Sequence, residues 1–405
     1  MLKTILSTFF TRFFIALSNL VLAVILSNYL GASGRGEQSL IITLISFIII
    51  ITSLIGTSAL SYLIPRYPFS ALLSLSYLWV SVIILVCFLI LPFLDLVPSI
   101  YTADICILSF LLSLLNIHIT VLIAHQKINA VNFLNFFQSL MIILALMTAF
   151  TLFNKKSISS YIIALYTGYG ITLTISIFFV RGFFRNFRLE SLSTWIEVLK
   201  KLFILGTFNQ VAVFTQLLSF RLSYYILNFY YGKEAVGIYS NAVAVAESIW
   251  LIGRSIGTVQ HSRIVNSHDA GFSLNLTSRL NRINLVLSLA MIIILVWIPG
   301  SWYVFLFGNE FININFIIQT LSPGIVFFGV ALILGYYFSS TGKHFVNAIA
   351  SSTGLIITII LGMVLIPAHG NSGAGITASL SYASTALVVI LFYIREKRKY
   401  HLLPK

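Results

Sequence analysis

The chain has 405 residues, of which only 8% are charged and 59% are hydrophobic. A soluble globular domain carries about 25% charged residues, so this composition excludes a soluble fold and requires lipid to cover the apolar surface. The net charge of +14 comes from short basic clusters between long apolar runs, which indicates membrane topology rather than nucleic-acid binding.

The apolar runs predict an all-α polytopic membrane protein with twelve spanning helices, since each span needs about 20 apolar residues. The first span has no small-residue cleavage site, so we expect it to remain in the mature chain. Turn-forming and charged residues separate the runs. The spans lie near residues 10–29, 38–64, 71–94, 104–124, 130–153, 158–182, 202–229, 236–260, 283–307, 312–340, 345–367 and 372–394.

The distribution of basic residues predicts the orientation of these spans. If both termini are cytoplasmic, 18 of the 24 Lys and Arg residues fall on the inner side, as the positive-inside rule requires. A missed or additional span would destroy this separation further along the chain. The exceptions are Arg35, Lys155, Lys156 and Lys233 in outer loops, and Arg221 and Arg254 within spans.

The two halves of the chain share a weak repeat. YLGASGRGEQSL follows the first span and YYGKEAVGIYSN follows the seventh, which aligns Gly31 with Gly232 and Gly36 with Gly237. Further on, Lys127 aligns with Lys343. Because each half holds an even number of spans, the repeat is parallel, an arrangement common in transporters. The sequence therefore predicts two six-helix lobes related by a parallel pseudo-repeat.

We predict an N-terminal lobe over residues 1–183, a cytoplasmic linker over 184–201, and a C-terminal lobe with a basic tail over 202–405. In the linker, Leu192, Trp195, Ile196 and Leu199 recur at helical spacing. This pattern is typical of an amphipathic helix on anionic headgroups.

Ionisable residues inside a membrane are costly, so they are candidates for function. Arg221 and Glu247 lie at similar depths in the seventh and eighth spans, about 13–18 Å from the outer surface at 1.5 Å per residue. They can pair, either as a structural salt bridge or as part of a cavity. Arg254 lies seven residues after Glu247 on nearly the same helix face. The three leave one surplus positive charge, and an arginine fork matches phosphate oxygens well.

Four further residues are candidate cavity residues. Arg12 either extends a basic path or is a topology charge near the inner end of the first span. The other three are amides that contact sugar hydroxyls or bond across helices: Asn209, Gln210 and Asn241. His118 in the fourth span is better explained as a packing residue than as a proton relay.

No catalytic site is predicted. The two cysteines, Cys87 and Cys106, show no metal-ligand or disulfide pattern, and no span carries an acid pair or a Ser-His-Asp set beside a large loop. The glycines of LGASGRG lack the strand and helix that a nucleotide-binding loop needs. We therefore expect no metal, no cofactor and no enzymatic activity.

The segment from Arg221 to Val259, RLSYYILNFYYGKEAVGIYSNAVAVAESIWLIGRSIGTV, resembles polysaccharide and O-antigen flippases of the polysaccharide transporter family. That family belongs to the multidrug, oligosaccharidyl-lipid and polysaccharide exporter superfamily. Its pattern has Arg-x-Asp, then Gly-x-Tyr-Ser, then an acid before a Trp. Supporting matches, in order along nearly the whole chain, are NYLGASGRGEQS, LFGNEFININFIIQTLSPG, TGKHFVNA and GNSGAGITASLSY.

The resemblance implies two lobes around a cationic cavity, alternating access, and an inner-membrane location. The implied cargo is an undecaprenyl-diphosphate-linked oligosaccharide used for O-antigen or capsular polysaccharide, and the polysaccharide polymerase machinery is an implied partner. One position departs from the pattern: Ser223 stands where the family often has Asp. Arg221 therefore lacks a neighbouring acid, and Glu247 becomes its expected partner.

Three alternatives remain open. A drug or cation antiporter of the same superfamily would need acidic residues in its lumen, where this chain has an arginine excess and only Glu247. A membrane polysaccharide polymerase would need a long external loop, but every predicted outer loop has about ten residues or fewer. A major-facilitator transporter would carry a basic Gly-rich motif where this chain has PRYPF.

Overall fold

The computed structural model of the protein describes residues 2–186, 190–267 and 269–402. Within these ranges every regular element is helical. Short 3₁₀ turns occupy Ser99–Tyr101, Arg181–Asn186 and Asn309–Phe311. The α-helices are α1 Leu2–Gly56, α2 Ser58–Leu63, α3 Phe69–Leu94, α4 Thr102–Ala124, α5 Ile128–Thr151, α6 Ile158–Val180, α7 Leu192–Glu247, α8 Trp250–Val265, α9 Ala270–Trp297, α10 Gly300–Phe307, α11 Ile314–Ser340 and α12 His344–Leu402.

Three of the long helices each cover all or part of two predicted spans. Each is divided by one glycine outside helical φ/ψ: Gly31 in α1, Gly232 in α7 and Gly370 in α12. Eight described helices are long and apolar enough to cross a membrane, and α7 forms a ninth with a 42° bend. Nine segments, three of them divided in two, give the twelve predicted spans.

The predicted outer loop over residues 31–36 is wrong. The helical backbone is interrupted only at Gly31, with φ of 68°, and helical residues resume at once. Gly232, its partner in the repeat, has nearly the same backbone, with φ of 78°. Because glycine alone adopts this conformation without a Cβ clash, one residue per repeat is enough to turn the chain.

The chain divides into two compact units, of which the first contains residues up to Leu30 and Glu37–Gln210. Its core joins α3, α4 and α5 with the start of α7. Fully buried leucines and a valine from these helices form it: Leu72, Leu122, Leu134, Val198 and Leu202. The start of α7 is therefore part of the core of the first unit, whereas the sequence assigned residues 184–201 to a separate linker.

The four apolar residues predicted to share one face of the linker divide between two environments. Leu192 is 76% exposed and Ile196 is 60% exposed. The face that packs on the core contains Trp195, Val198 and Leu199 instead, which follows the spacing of three and four residues expected for a helix. Lipid contact by the exposed pair stays a prediction.

Two carboxylates also attach the start of α7 to the turn between α2 and α3. The Tyr67 hydroxyl donates to Glu197 Oε1 at 3.1 Å, and the Ser70 hydroxyl donates to Glu190 Oε1 at 3.1 Å. The hydrogen bond to Glu197 raises the pKa of Tyr67. These contacts supplement the apolar packing of the same helix.

The second unit contains Gly31–Gly36 and the chain from Val211 onward. At one end α8, α9, α11 and α12 share a core formed by Ile264, Leu274, Phe338 and Val389. At the first residue of α8, Trp250 is buried and its indole N–H donates to the Ile325 carbonyl at 2.9 Å. The division lies within α7, nine residues after the predicted start of the second lobe.

The predicted orientation leads to a labelling experiment. Lys155 and Lys397 are both exposed in the structure. A cysteine at 155 should react with an impermeant thiol reagent in intact cells, because it is predicted to be outside, whereas a cysteine at 397 should react only after lysis. The reverse pattern would contradict the orientation, and equal labelling of both would contradict the span count.

Candidate functional site

Arg221 and Glu247 form a bidentate ion pair in the second unit. Arg221 Nη1 donates to Glu247 Oε1 at 3.0 Å and Nη2 donates to Oε2 at 2.9 Å. The Arg221 side chain is 23% exposed and that of Glu247 is 15% exposed. The fork–carboxylate geometry is the strongest form of such a pair. The structure thus confirms the predicted pairing, while a role in binding cargo stays a prediction.

The pair lies beside several aromatic side chains. The Tyr382 hydroxyl donates to Glu247 Oε1 at 3.4 Å, and the Arg221 guanidinium lies 5.3 Å from the Tyr224 ring centroid. The ring centroid of Trp250 lies 5.3 Å from that of Tyr382. Beside apolar rings, an ion pair is stabilised, and a charged side chain that loses its partner lowers the stability of the fold.

The break at Gly232 brings the two residues together. Because α7 reverses at this glycine, Arg221 before the break and Glu247 after it reach similar depths. The regular helix also ends at Glu247, and α8 begins three residues later at Trp250. The sequence predicted one continuous span over 236–260. Interruptions within a span often occur at functional positions.

Arg35 is a buried charge that the sequence analysis missed. It was assigned to an exposed outer loop, but only 9% of it is exposed. Its Nε donates to the side-chain oxygen of Asn241 at 2.7 Å. The repeat contained a signal, because its offset aligns Arg35 with Val236, the first residue of the predicted eighth span. A position equivalent to a residue inside a span indicates burial better than a position in a loop does.

The two described amides among the candidates bond across helices. Asn241 is fully buried and accepts the bond from Arg35. Gln210 lies in the first unit, where its Nε2 donates to the Ser53 carbonyl at 3.1 Å and to Thr57 Oγ1 at 3.3 Å. The side chain of Asn209 is outside the described residues. Both contacts match the helix-packing interpretation of these amides.

Arg254 and Arg12 are exposed. Arg254 lies on α8, and among the described residues no carboxylate forms an ion pair with it. Arg12 lies on α1 in the first unit. The structure therefore brings Arg221 and Glu247 together, connects Asn241 to Arg35, and leaves Arg254 with an accessible guanidinium.

His118 is buried in the first unit between two hydroxyl groups. Its Nε2 lies 2.8 Å from the Tyr77 hydroxyl and its Nδ1 lies 2.6 Å from the Ser176 hydroxyl. Ser176 donates to the Leu173 carbonyl, so Ser176 accepts from Nδ1 and Tyr77 donates to Nε2. A neutral imidazole satisfies this arrangement, which supports the packing interpretation.

A cluster of hydroxyl groups in the second unit was not predicted. Ser219 of α7 lies 2.9 Å from the Ser381 hydroxyl and 3.1 Å from the Thr358 hydroxyl, and the last two belong to the two halves of α12. Such groups bond across membrane helices. No group of three or more His, Cys, Asp or Glu residues within the described chain could hold a metal ion.

Comparison with known proteins identifies one curated relative. No protein-family model matches the chain. The capsular polysaccharide biosynthesis protein CapF of Staphylococcus aureus is 26% identical over 173 residues, which are 42% of this chain and 44% of CapF. The match therefore spans less than half of the length of that relative.

Solved structures match over nearly the full length of the chain. The inward closed conformation of the lipid II flippase MurJ aligns with a TM-score of 0.77 at 15% identity, over 98% of this chain and 88% of MurJ. An inward-facing multidrug resistance MATE transporter of the MOP superfamily aligns at 0.71 and 13% identity, over 96% of both chains. A MOP superfamily transporter from Pyrococcus furiosus, described as having a binding pocket of reverse polarity, aligns at 0.65 and 14% identity, over 98% and 94%. The predicted all-α polytopic fold is confirmed.

Proposed function

We propose that this protein is a flippase for undecaprenyl-diphosphate-linked oligosaccharides, which it moves across the bacterial inner membrane for capsular or O-antigen polysaccharide assembly. The fold is that of a lipid II flippase and of MATE transporters, and the partial relative functions in capsule biosynthesis by its description. In this proposal the protein works by alternating access through a cationic central cavity, has both termini in the cytoplasm and performs no chemistry on its cargo.

The excess of guanidinium groups in the second unit carries the proposal. Arg221 and Arg254 lie within predicted spans, and among the described residues Glu247 is the one carboxylate that forms an ion pair with either of them. A diphosphate that crosses a membrane needs positive partners, because an uncompensated charge there is costly. Arginine provides a permanent charge and a planar fork that matches phosphate oxygens.

The test is a chromosomal deletion in the source bacterium. A strain without the gene and without a redundant transporter should lose its surface polysaccharide and accumulate oligosaccharide-loaded carrier lipid on the cytoplasmic side. Restoring the wild-type gene should reverse both effects. Normal surface polymer in the deletion strain would end the proposal.

The MATE neighbours favour a second candidate, a multidrug or cation antiporter. An exporter of cationic drugs would have to place a cation beside an arginine-rich region, and like charges repel. The same deletion strain separates the two functions. Under the flippase proposal its drug susceptibility stays unchanged while the polymer is lost, whereas an antiporter would give the opposite result.

A further inference from the structure

Three buried amide oxygens in the second unit have no hydrogen-bond donor among the described residues. They belong to Gln260 of α8 and to Asn281 and Asn284 of α9. Gln260 is 0% exposed and Asn284 is 1% exposed. Asn281 and Asn284 are three residues apart, so their side chains are neighbours on one face of α9. Because a buried oxygen without a donor destabilises a fold, each of the three needs a hydrogen-bond partner.

The orientation of the Gln260 amide is fixed by Thr277. The Thr277 hydroxyl donates its one proton to the Ser273 carbonyl at 2.7 Å, so it can only accept from Gln260. Gln260 Nε2 donates to it at 3.0 Å. Rotating the amide by 180° would place the amide oxygen against a hydroxyl that has no proton left to donate. Gln260 Oε1 therefore points away from Thr277 as an acceptor.

The Asn284 amide is fixed by a backbone carbonyl. Its Nδ2 donates to the Gly329 carbonyl at 2.9 Å, and the rotated amide would place two oxygens against each other. Oδ1 instead faces α8, since a Cβ on Gly253 would lie 3.0 Å from Asn284 Oδ1 and 3.0 Å from Leu332 Cδ2. Neither Gly253 nor Leu332 has a polar side chain. In both amides the protein uses the donor half, and the acceptor half remains.

The ligand that fits these oxygens has to donate hydrogen bonds. An anion is excluded because three acceptors would repel it. A bare cation is disfavoured, because the set contains no carboxylate and two exposed arginines, Arg279 and Arg282, lie on the same helix. Water is neutral and donates two hydrogen bonds. One water molecule can therefore bridge Asn281 to Asn284, and a second can bridge Asn281 to Gln260.

A cleft where α8 meets α9 provides an entrance for solvent. The cleft has a volume of about 800 Å³, and Asn266 and Asp269 are among the residues that line it. The Asp269 carbonyl accepts from the Ser273 hydroxyl at 3.0 Å. The Ser273 carbonyl accepts from Thr277, and Thr277 accepts from Gln260. Hydrogen-bonding groups thus continue without interruption from the cleft to the first of the three oxygens.

We propose that the seam between α8 and α9 binds a short file of ordered water, which enters from this cleft and is held by Gln260, Asn281 and Asn284. The file reaches residue 284, about 20 Å along α9 at 1.5 Å per residue. It brings solvent into a part of the second unit that lies inside a predicted span. The water also supplies the donors that the three amide oxygens lack.

Solid-state NMR of the full chain in liposomes tests the water file. Magnetisation from water should reach the side-chain carbonyl carbons of Gln260 and Asn284 at least about threefold faster than that of Asn241, because bound water lies within hydrogen-bond distance of the first two. Asn241 is the matched control, since it is fully buried in the same unit but its oxygen accepts from Arg35. Single alanine variants assign the three signals. Equal transfer rates at all three would overturn the proposal.

A second measurement separates water from a monovalent cation. The melting temperature of the purified protein should be the same at equal concentrations of sodium, potassium and N-methylglucamine chloride, because only a bound cation would stabilise the fold selectively. A rise in sodium or potassium that Asn284→Ala abolishes would identify a cation and overturn the assignment to water. A rise that persists in Asn284→Ala comes from another site and agrees with water in the seam. Both measurements omit cargo, so they are independent of the proposed function.

Discussion

Glu247→Gln and Arg221→Gln should each lower the free energy of unfolding by about 3 kcal/mol, the lower end of the range for breaking a buried pair. The lower end applies because both side chains retain some exposure, 23% for Arg221 and 15% for Glu247. Each variant leaves one charge beside the aromatic rings without its bidentate partner. Denaturant or thermal unfolding in detergent micelles measures the loss.

Two further variants make this experiment specific. The exchange of Arg221→Glu with Glu247→Arg should recover at least half of the lost stability, since opposite charges again meet at the same depth. Tyr382→Phe removes only the 3.4 Å bond to Glu247 and should cost at most about 1 kcal/mol. If both single glutamine variants unfold like the wild type, the pair is solvated and does not hold α7 together.

Arg254→Ala should reduce transport of the lipid-linked saccharide by at least about tenfold while the protein remains folded in the membrane, because the anion loses a positive partner. The stability should change little, since Arg254 is exposed and no described carboxylate depends on it. Surface polysaccharide should fall and loaded carrier lipid should accumulate on the cytoplasmic side. Both quantities can be measured in a deletion strain that carries the variant gene.

Conservative and matched variants show whether the position or the charge alone matters. Arg254→Lys should retain partial activity, because the charge is kept and the bidentate fork is lost. Arg263→Ala, which removes another exposed arginine from the last turn of the same helix, should transport normally. Drug susceptibility should not change in any of them. Equal loss of transport in the Arg254 and Arg263 alanine variants would indicate a general effect of net charge.

The repeat shows how far local sequence can predict this structure. The alignment of Gly31 with Gly232 predicts a chain reversal in each half, and the two residues have nearly the same positive-φ backbone. A reversal depends on a conformation that glycine alone adopts easily, so it is visible in the sequence. The length of each loop could not be predicted, because the Ala, Ser, Arg and Glu residues in these segments are also compatible with a helix.

Arg35 and the start of α7 show where prediction from the sequence failed. An arginine between two spans is usually exposed, and its burial depends on Asn241, which is 206 residues away. The apolar pattern at the start of α7 also did not show that Trp195 and Leu199 pack on a protein core while Leu192 and Ile196 stay exposed. Only the core of the first unit selects the register that buries Val198.

The sequence by itself determined the membrane class, the number of spans and the pairing of Arg221 with Glu247. These depend on hydrophobic length, on the glycine at each reversal and on depth along a helix, all of which are local quantities. Only the tertiary structure decided that Arg35 is buried, that Glu310 caps the helix at Ala32, and that Arg254 is exposed on α8. Those outcomes depend on which distant side chain satisfies a charge or a free backbone donor, and no local pattern encodes that choice.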